Sequence, residues 1–203
     1  SNKKTIVSIF VNPKQFNNVK DFNSYPANIK KDLAILKRIK KLDFVYIPKF
    51  KDVYENKKKS KIKIEKKYKV MCAKFRKNHF EGVLDVMNRL TKLIRPKKIF
   101  MGKKDFQQFF LVKKFIENKF NTKIIGCKTV RNKNKLALSS RNLLLNKKDL
   151  FKAGKISRTL ISFKKRLSGK KITKKLILAK KSKLEQLYNI NIEYFDIRNK
   201  INL

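Results

Sequence analysis

The stretch KIFMGKKDFQQFF, residues 98–110, sets the grammar of this chain. An apolar run ends at Gly102, a Lys-Lys-Asp triplet follows, and Phe106, Phe109, Phe110, Ile116 and Phe120 then recur at helical spacing. This pattern predicts a strand that turns at Gly102 into an amphipathic helix. Read as helical, Lys104 and Gln108 stand four apart and Asp105 and Gln108 three apart, which places them on neighbouring surface of the first turn. Free backbone N–H groups at a helix start favour an anion. A cation, a carboxylate and an amide there suit a phosphate beside a polar substrate, and by spacing alone they suit an ordinary solvated helix start equally well.

The same alternation runs outward in both directions. TIVSIFV (5–11) is a β-branched apolar run expected to be a strand buried on both faces, ended by Asn12-Pro13. NIKKDLAILKRIKKL (28–42) is a helix by period, and DFVYIP (43–48) a short strand closed by Pro48. The lysine-dense segment 55–69 includes a Lys-Ile-Lys-Ile alternation at 61–64 that suits an edge strand. HFEGVLDVMNRLTKLIRP (79–96) places Phe80, Val83, Leu84, Met87, Leu90 and Ile94 on one helical face and stops before Pro96. TKIIGC (122–127) is a further strand. Strands alternating with helices imply a parallel sheet in an α/β domain. After Asn142 the pattern changes to two lysine-rich helices near 147–167 and 173–188 and a strand-like INIEYFDI (190–197), read as a small second domain.

Composition bounds the function. The 203 residues carry 41% hydrophobic side chains, enough for a core. No segment approaches the ~20 apolar residues of a membrane span, and no signal segment opens the chain. Two cysteines, Cys72 and Cys127, are too few for a disulfide framework and read as thiols of a reducing cytoplasm. The formal net charge of +42 invites a nucleic-acid reading. Only nine of the 56 basic residues are arginines, however, and base readout favours arginine forks. The lysines spread along the whole chain, so weak, salt-sensitive adhesion to polyanions is expected without a dedicated nucleic-acid partner.

In an open parallel sheet, ligands gather outside the carboxyl ends of the strands. Three polar clusters fall there: Asn12 to Gln15, Gly102 to Gln108, and LALSSRN (136–142), whose Ser139, Ser140 and Arg141 suit phosphate oxygens. A Ser-Ser-Arg alone more often caps a helix. His79, the single histidine, reads as structural, and His/Cys metal ligation is excluded by count. Asp21 and Asp32 are weak candidates for a magnesium–phosphate complex and more ordinarily solvated carboxylates or caps.

VSIFVNPKQF, FRKNHFEGV, GKKDFQQ and LALSSRN, in this order, resemble the pantothenate synthetase (pantoate–β-alanine ligase) family over nearly the whole chain. The resemblance implies a Rossmann-like nucleotidyltransferase domain over 1–142 that binds ATP and pantoate, and a small α+β C-terminal domain over 143–203. It implies condensation of pantoate with β-alanine through a pantoyl adenylate, using ATP and Mg²⁺ in a cytoplasmic homodimer that needs neither membrane nor nucleic acid. Carried over by motif, Gln15 and Gln108 would contact pantoate, with Gln15 also near β-alanine. Gly102, Lys103, Lys104, Asp105, Val130, Leu138, Ser139, Ser140 and Arg141 would hold ATP, Lys104 supplying the supporting charge for catalysis.

Several positions depart from the family pattern. The family's His-x-Gly-His motif and its strand are expected upstream of Thr5, and the C-terminal domain is expected to run further. The 203 residues therefore read as a shortened chain whose own turnover is expected to be negligible; a decayed relative or a basic nucleic-acid-adhering protein on the same fold are the rival readings. Lys103 stands for Glu, Leu138 for Met, RKNHF (76–80) for Arg-Pro-Gly-His-Phe, Ala27 for Arg, and Asn134-Lys135 for Asp-Gly. Lys135 is the substitution expected to alter a nucleotide-facing loop.

Overall fold

The computed structural model describes residues 3–54, 60–169 and 171–203. Strand β1 (Ile6–Ser8) leads into a 3-10 turn at Pro13–Gln15, then helices α1 (Val19–Asn23) and α2 (Ile29–Leu36). Strand β2 (Phe44–Tyr46), helix α3 (Phe50–Val53), a 3-10 turn at Lys66–Tyr68 and helix α4 (Cys72–Phe75) follow. The central run is helix α5 (His79–Ile94), strand β3 (Lys98–Gly102), helix α6 (Phe106–Lys119) and strand β4 (Lys123–Cys127). A 3-10 turn at Ser140–Leu144 precedes helices α7 (Lys147–Arg166) and α8 (Lys174–Tyr188).

The expected parallel pairing forms, as two two-stranded sheets among the described residues. β1 pairs β2 with Ile6 opposite Phe44, and β3 pairs β4 with Lys98 opposite Lys123. The core lies between α5 and α6: Val112 and Ile116 are fully buried, with Phe80, Val83, Leu84, Phe109, Leu111 and Ile124 packed around them. At roughly 1.5–3 kcal/mol per fully buried large apolar side chain, this cluster is the chief term holding β3 and β4 in place.

Several expectations are corrected. The 5–11 run is not buried on both faces: the strand shortens to Ile6–Ser8, and Ile6 keeps 38% exposure because β2 is its sole ladder partner among the described residues. The 61–64 alternation joins no ladder. Ile64 turns into the core instead, and the chain tightens at once into the Lys66–Tyr68 turn. The rest of that lysine-dense run, 55–59, lies outside the described residues. INIEYFDI is not a strand either: its aromatic residues spend themselves on side-chain packing, Tyr194 stacking on Phe75 and Phe195 on Phe163. The helices expected near 147–167 and 173–188 are α7 and α8.

Candidate active site

Asn12 sets the geometry on one side of the site. It is 1% exposed, and each of its side-chain polar atoms is used. Its Nδ2 donates to the Gly82 carbonyl at 3.1 Å, while Oδ1 accepts from the Tyr54 hydroxyl at 3.0 Å and from the Lys14 N–H at 3.2 Å. Burial and the Asp85 carboxylate push the Tyr54 phenol up to about 12, so its hydroxyl stays a donor. This knot pins the Pro13–Gln15 turn against the first turns of α5. Gly82 makes the approach possible, because a Cβ there would collide with the Lys14 carbonyl oxygen and lie 2.8 Å from its carbon. Gln15 is thereby held half-buried at the end of the Pro13–Gln15 turn.

His79, the first residue of α5, closes the same junction with Nδ1 2.6 Å from the Gln15 carbonyl oxygen. A carbonyl only accepts, so Nδ1 carries the proton. Burial holds the His79 pKa below the ordinary histidine value; the Gln15 bond opposes that shift, and the charges of Arg76 and Arg141 reinforce it. Asn78 precedes it in the left-handed region at φ 61°, where the family motif has Gly. Asn is the residue that tolerates this conformation best after Gly, which explains how RKNHF keeps the motif's turn.

On the facing side, β3 ends at Gly102 and α6 begins at Phe106. Lys104 therefore precedes the helix, and the expected helical pairing of Lys104 with Gln108 does not form. Lys104 instead reaches Asp105, Nζ to carboxylate 3.6 Å, and Asp105 occupies the cap position without making a side-chain cap bond. Gly102 has open space where a Cβ would lie, so no packing contact demands a glycine there. The two glutamines divide. Gln107 is buried and donates to the Tyr68 and Val70 carbonyls at 3.0 and 2.8 Å, whereas Gln108 stays half-buried and borders the site.

The third segment arrives on a hairpin. Arg131 bridges Ala137, Lys135 N–H donates to the Asn132 carbonyl, and Asn132 N–H donates to the Leu136 carbonyl. That bonding is a type I turn followed by one left-handed residue, the position that favours Gly. Lys135 occupies it at φ 64°, so the loop keeps its hairpin and carries the strain of a side chain there. Ser139 then caps the next turn, accepting from the Arg141 N–H at 3.3 Å. The Ser140 hydroxyl donates to the Tyr25 hydroxyl at 3.3 Å, and Arg141 bonds both carboxylate oxygens of Asp21 at 3.2 Å.

These segments enclose a cleft of about 1340 Å³, bordered by Gln15, Lys103, Lys104, Asp105, Gln108, Ser139, Ser140 and Arg141. Of the sequence-derived candidates, Gly102, Val130, Leu138 and Asp32 do not border it. Val130 and Leu138 are 66% and 53% exposed; the Val130 carbonyl is occupied by the Leu138 N–H at 3.0 Å. Asp32 sits exposed in the first turn of α2, where a carboxylate suits the helix dipole, and no group of three potential metal ligands exists among the described residues. His79, expected to be structural alone, also borders the cleft, as do the tail residues Tyr194 and Arg198 from beyond α8, which sequence reasoning misses. The FRKNHFEGV stretch already holds His79 and Gly82; nothing in the sequence marks the tail.

The family model described as pantoate-beta-alanine ligase matches residues 1–203. The chain belongs to the pantoate-beta-alanine ligase family. Pantothenate synthetases of Flavobacterium psychrophilum and Leptospira interrogans are each 38% identical over 199 residues, spanning 97% of this chain and 70% of theirs. The ligase of Francisella tularensis, solved with β-γ ATP and β-alanine, superposes with TM-score 0.73 at 38% identity. That match covers 77% of this chain and 60% of the other, so the chain spans less than two thirds of that relative. Pantothenate synthetase from Thermus thermophilus gives TM-score 0.89 over 98% of this chain and 73% of its own, at 28% identity. The fold shared with this ligase family is the mixed α/β nucleotidyltransferase fold.

Proposed function

We propose that this chain serves the ATP-dependent condensation of pantoate with β-alanine through a pantoyl adenylate, releasing pyrophosphate and then AMP. The observation that carries the reading is the convergence of Gln15, Gln108, Lys104 and the Ser139–Arg141 segment, from three separate stretches of chain, on one cleft. In the first step a pantoate carboxylate oxygen attacks the α-phosphorus of ATP and the bond to the β-phosphate bridge breaks. Lys104, Arg141 and the two serine hydroxyls would stabilise the charge that gathers on the phosphates. Gln15 and Gln108 offer neutral amides that donate to one oxygen and accept from a hydroxyl, adding no negative charge beside the attacking carboxylate.

In the second step the β-alanine amine attacks the acyl carbon and AMP leaves with the former carboxylate oxygen. The carboxylates of Asp21 and Asp105 border the cleft, and oxygen donors of that kind fit Mg²⁺ arriving on the nucleotide phosphates. Bound there, Mg²⁺ would neutralise phosphate charge. We extend the same reading to a nucleotide-binding domain over 1–142, a C-terminal domain over 143–203, a homodimer and a cytoplasmic setting. No helix among the described residues is long and apolar enough to cross a membrane. The test is isotopic: with the chain joined to a His-x-Gly-His segment, pantoate labelled with ¹⁸O in its carboxylate should pass one label into AMP. Unlabelled AMP formed alongside pantothenate would overturn the adenylate route.

A further inference from the structure

The acyl-transfer step needs a proton acceptor, because the attacking amine must shed a proton as its bond to carbon forms. We propose that His79 is that acceptor, through Nε2, a role that rests on the ligase reading above. Three observations place it there. Its Nδ1–H is committed to the Gln15 carbonyl at 2.6 Å, which leaves Nε2 as the nitrogen with the lone pair. That nitrogen has no hydrogen-bond partner among the described residues, and it is not among the buried polar atoms left unsatisfied, so it remains reachable. The ring borders the cleft beside Gln15, one of the two amides that the ligase reading sets against the substrates.

The surroundings favour the base form. The charged groups bearing on the ring are Arg76 and Arg141, which oppose imidazolium, and Asp105, which favours it; burial adds to the first pair. The same positive field favours the neutral amine of β-alanine over its ammonium, so the amine enters having lost one proton to solvent. The step then balances: the amine lone pair forms the C–N bond and the acyl C–O bond breaks. AMP departs with that electron pair, and one amine proton moves to Nε2. His79 is also the only imidazole in the chain, so its spectrum needs no assignment.

Two measurements test this. A long-range ¹H–¹⁵N spectrum of the chain reads which ring nitrogen carries the proton, and adding β-alanine should shift the Nε2 resonance more than Nδ1. A protonated Nε2 in the neutral ring, or an Nε2 indifferent to β-alanine, overturns the proposal. The second measurement follows preformed pantoyl adenylate reacting with β-alanine. His79→Asn keeps an N–H where Nδ1 stands and removes Nε2, so it should slow this step about 10²–10⁴-fold. His79→Gln cannot keep the Gln15 bond in the same way, and adenylate affinity should suffer as well. A His79→Asn variant as fast as the unmodified chain, or no acceleration by the unmodified chain over buffer, would exclude the role. Binding of ATP, read by titration, tests the ligase assignment separately, since it precedes any use of Nε2. The pH profile adds a third reading: protonation of Nε2 should add a second acid-side dependence to that of the amine, and His79→Asn should keep only the amine's.

Discussion

Replacing Gly82 by Ala tests the architecture of the site with one methyl group. In a solvated helix interior the change would stabilise by ~0.8–1.0 kcal/mol, the difference in helix propensity. Here the added carbon meets backbone: it collides with the Lys14 carbonyl oxygen, lies 2.8 Å from that carbonyl carbon and 3.1 Å from the Gln15 nitrogen. Backbone cannot swing aside as a flexible side chain does, so α5 and the Pro13–Gln15 turn must separate. Overpacking of that kind costs ~1–3 kcal/mol. Separation also strips the Gly82 carbonyl from the buried Asn12 amide, and an unsatisfied buried group costs ~1–3 kcal/mol. Losing both the contact and the bond, less the propensity gain, leaves a net loss of about 1–5 kcal/mol. Urea unfolding should show a lower midpoint with unchanged slope, and the His79–Gln15 bond should be disturbed in the imidazole spectrum. A Gly82→Ala variant as stable as the parent would refute the close approach of α5 to the turn, and with it the account of how Gln15 is held.

Three further outcomes follow from the geometry. Lys135→Gly should stabilise the chain by about 0.5–1 kcal/mol, because a left-handed non-Gly residue costs ~1–2 kcal/mol and glycine's extra chain entropy returns part of that; a lowered unfolding midpoint would contradict the strain at φ 64°. Gln108→Glu keeps the size but removes a donor and adds like charge beside the pantoate carboxylate. Apparent affinity for pantoate should fall by ~1–3 kcal/mol while ATP affinity changes little, and equal small changes in both would remove Gln108 from the site. In the chain joined to a His-x-Gly-His segment, Lys104→Ala should weaken ATP-dependent adenylation by ~1.5–3 kcal/mol, a defect that preformed pantoyl adenylate bypasses; equal slowing from the adenylate would reassign Lys104.

The long elements and the eight candidate residues that border the cleft are legible in the sequence because they rest on local pattern. The 3.6-residue period of 79–94 and 106–119 fixes two amphipathic helices whatever their neighbours. Period does not fix depth, however: Leu111 and Val112, between the expected phenylalanines, are buried more deeply than Phe106 or Phe110. Where expectation and structure part, pairing decides. The 5–11 and 190–197 runs have strand composition, but a strand needs a ladder partner, and local sequence is silent on which partners are present. The start of α6 shifts for a similar reason: the β3–β4 ladder runs to Gly102 opposite Cys127, and Lys103 N–H still donates to the Cys127 carbonyl, which delays the helix until Phe106. Asn12 is placed at a strand end by its Pro neighbour, yet its partners lie 42 and 70 residues away at Tyr54 and Gly82. No local signal reveals such a knot.

The charge of the cleft has a consequence for how it meets a polyanion. Two of its cations are occupied before any nucleotide arrives, Arg141 by Asp21 through both oxygens and Lys104 by Asp105. Arg141 and Asp21 are about half exposed, and ion pairs of that kind contribute ~0–1 kcal/mol. Such partners are easily displaced: a charge-assisted bond to phosphate brings ~1.5–3 kcal/mol. Until then they have a different use. In a chain of formal charge +42, a cleft that gathers several cations would repel itself open. Asp21, reached from α1, draws the Ser139–Arg141 segment toward the Pro13–Gln15 side, with the Arg141 guanidinium 5.0 Å above the Tyr25 ring. The carboxylates thus hold the two walls in register with the arginine fork already oriented. On the ligase reading, an incoming phosphate would replace Asp21 as partner without having to assemble the site first.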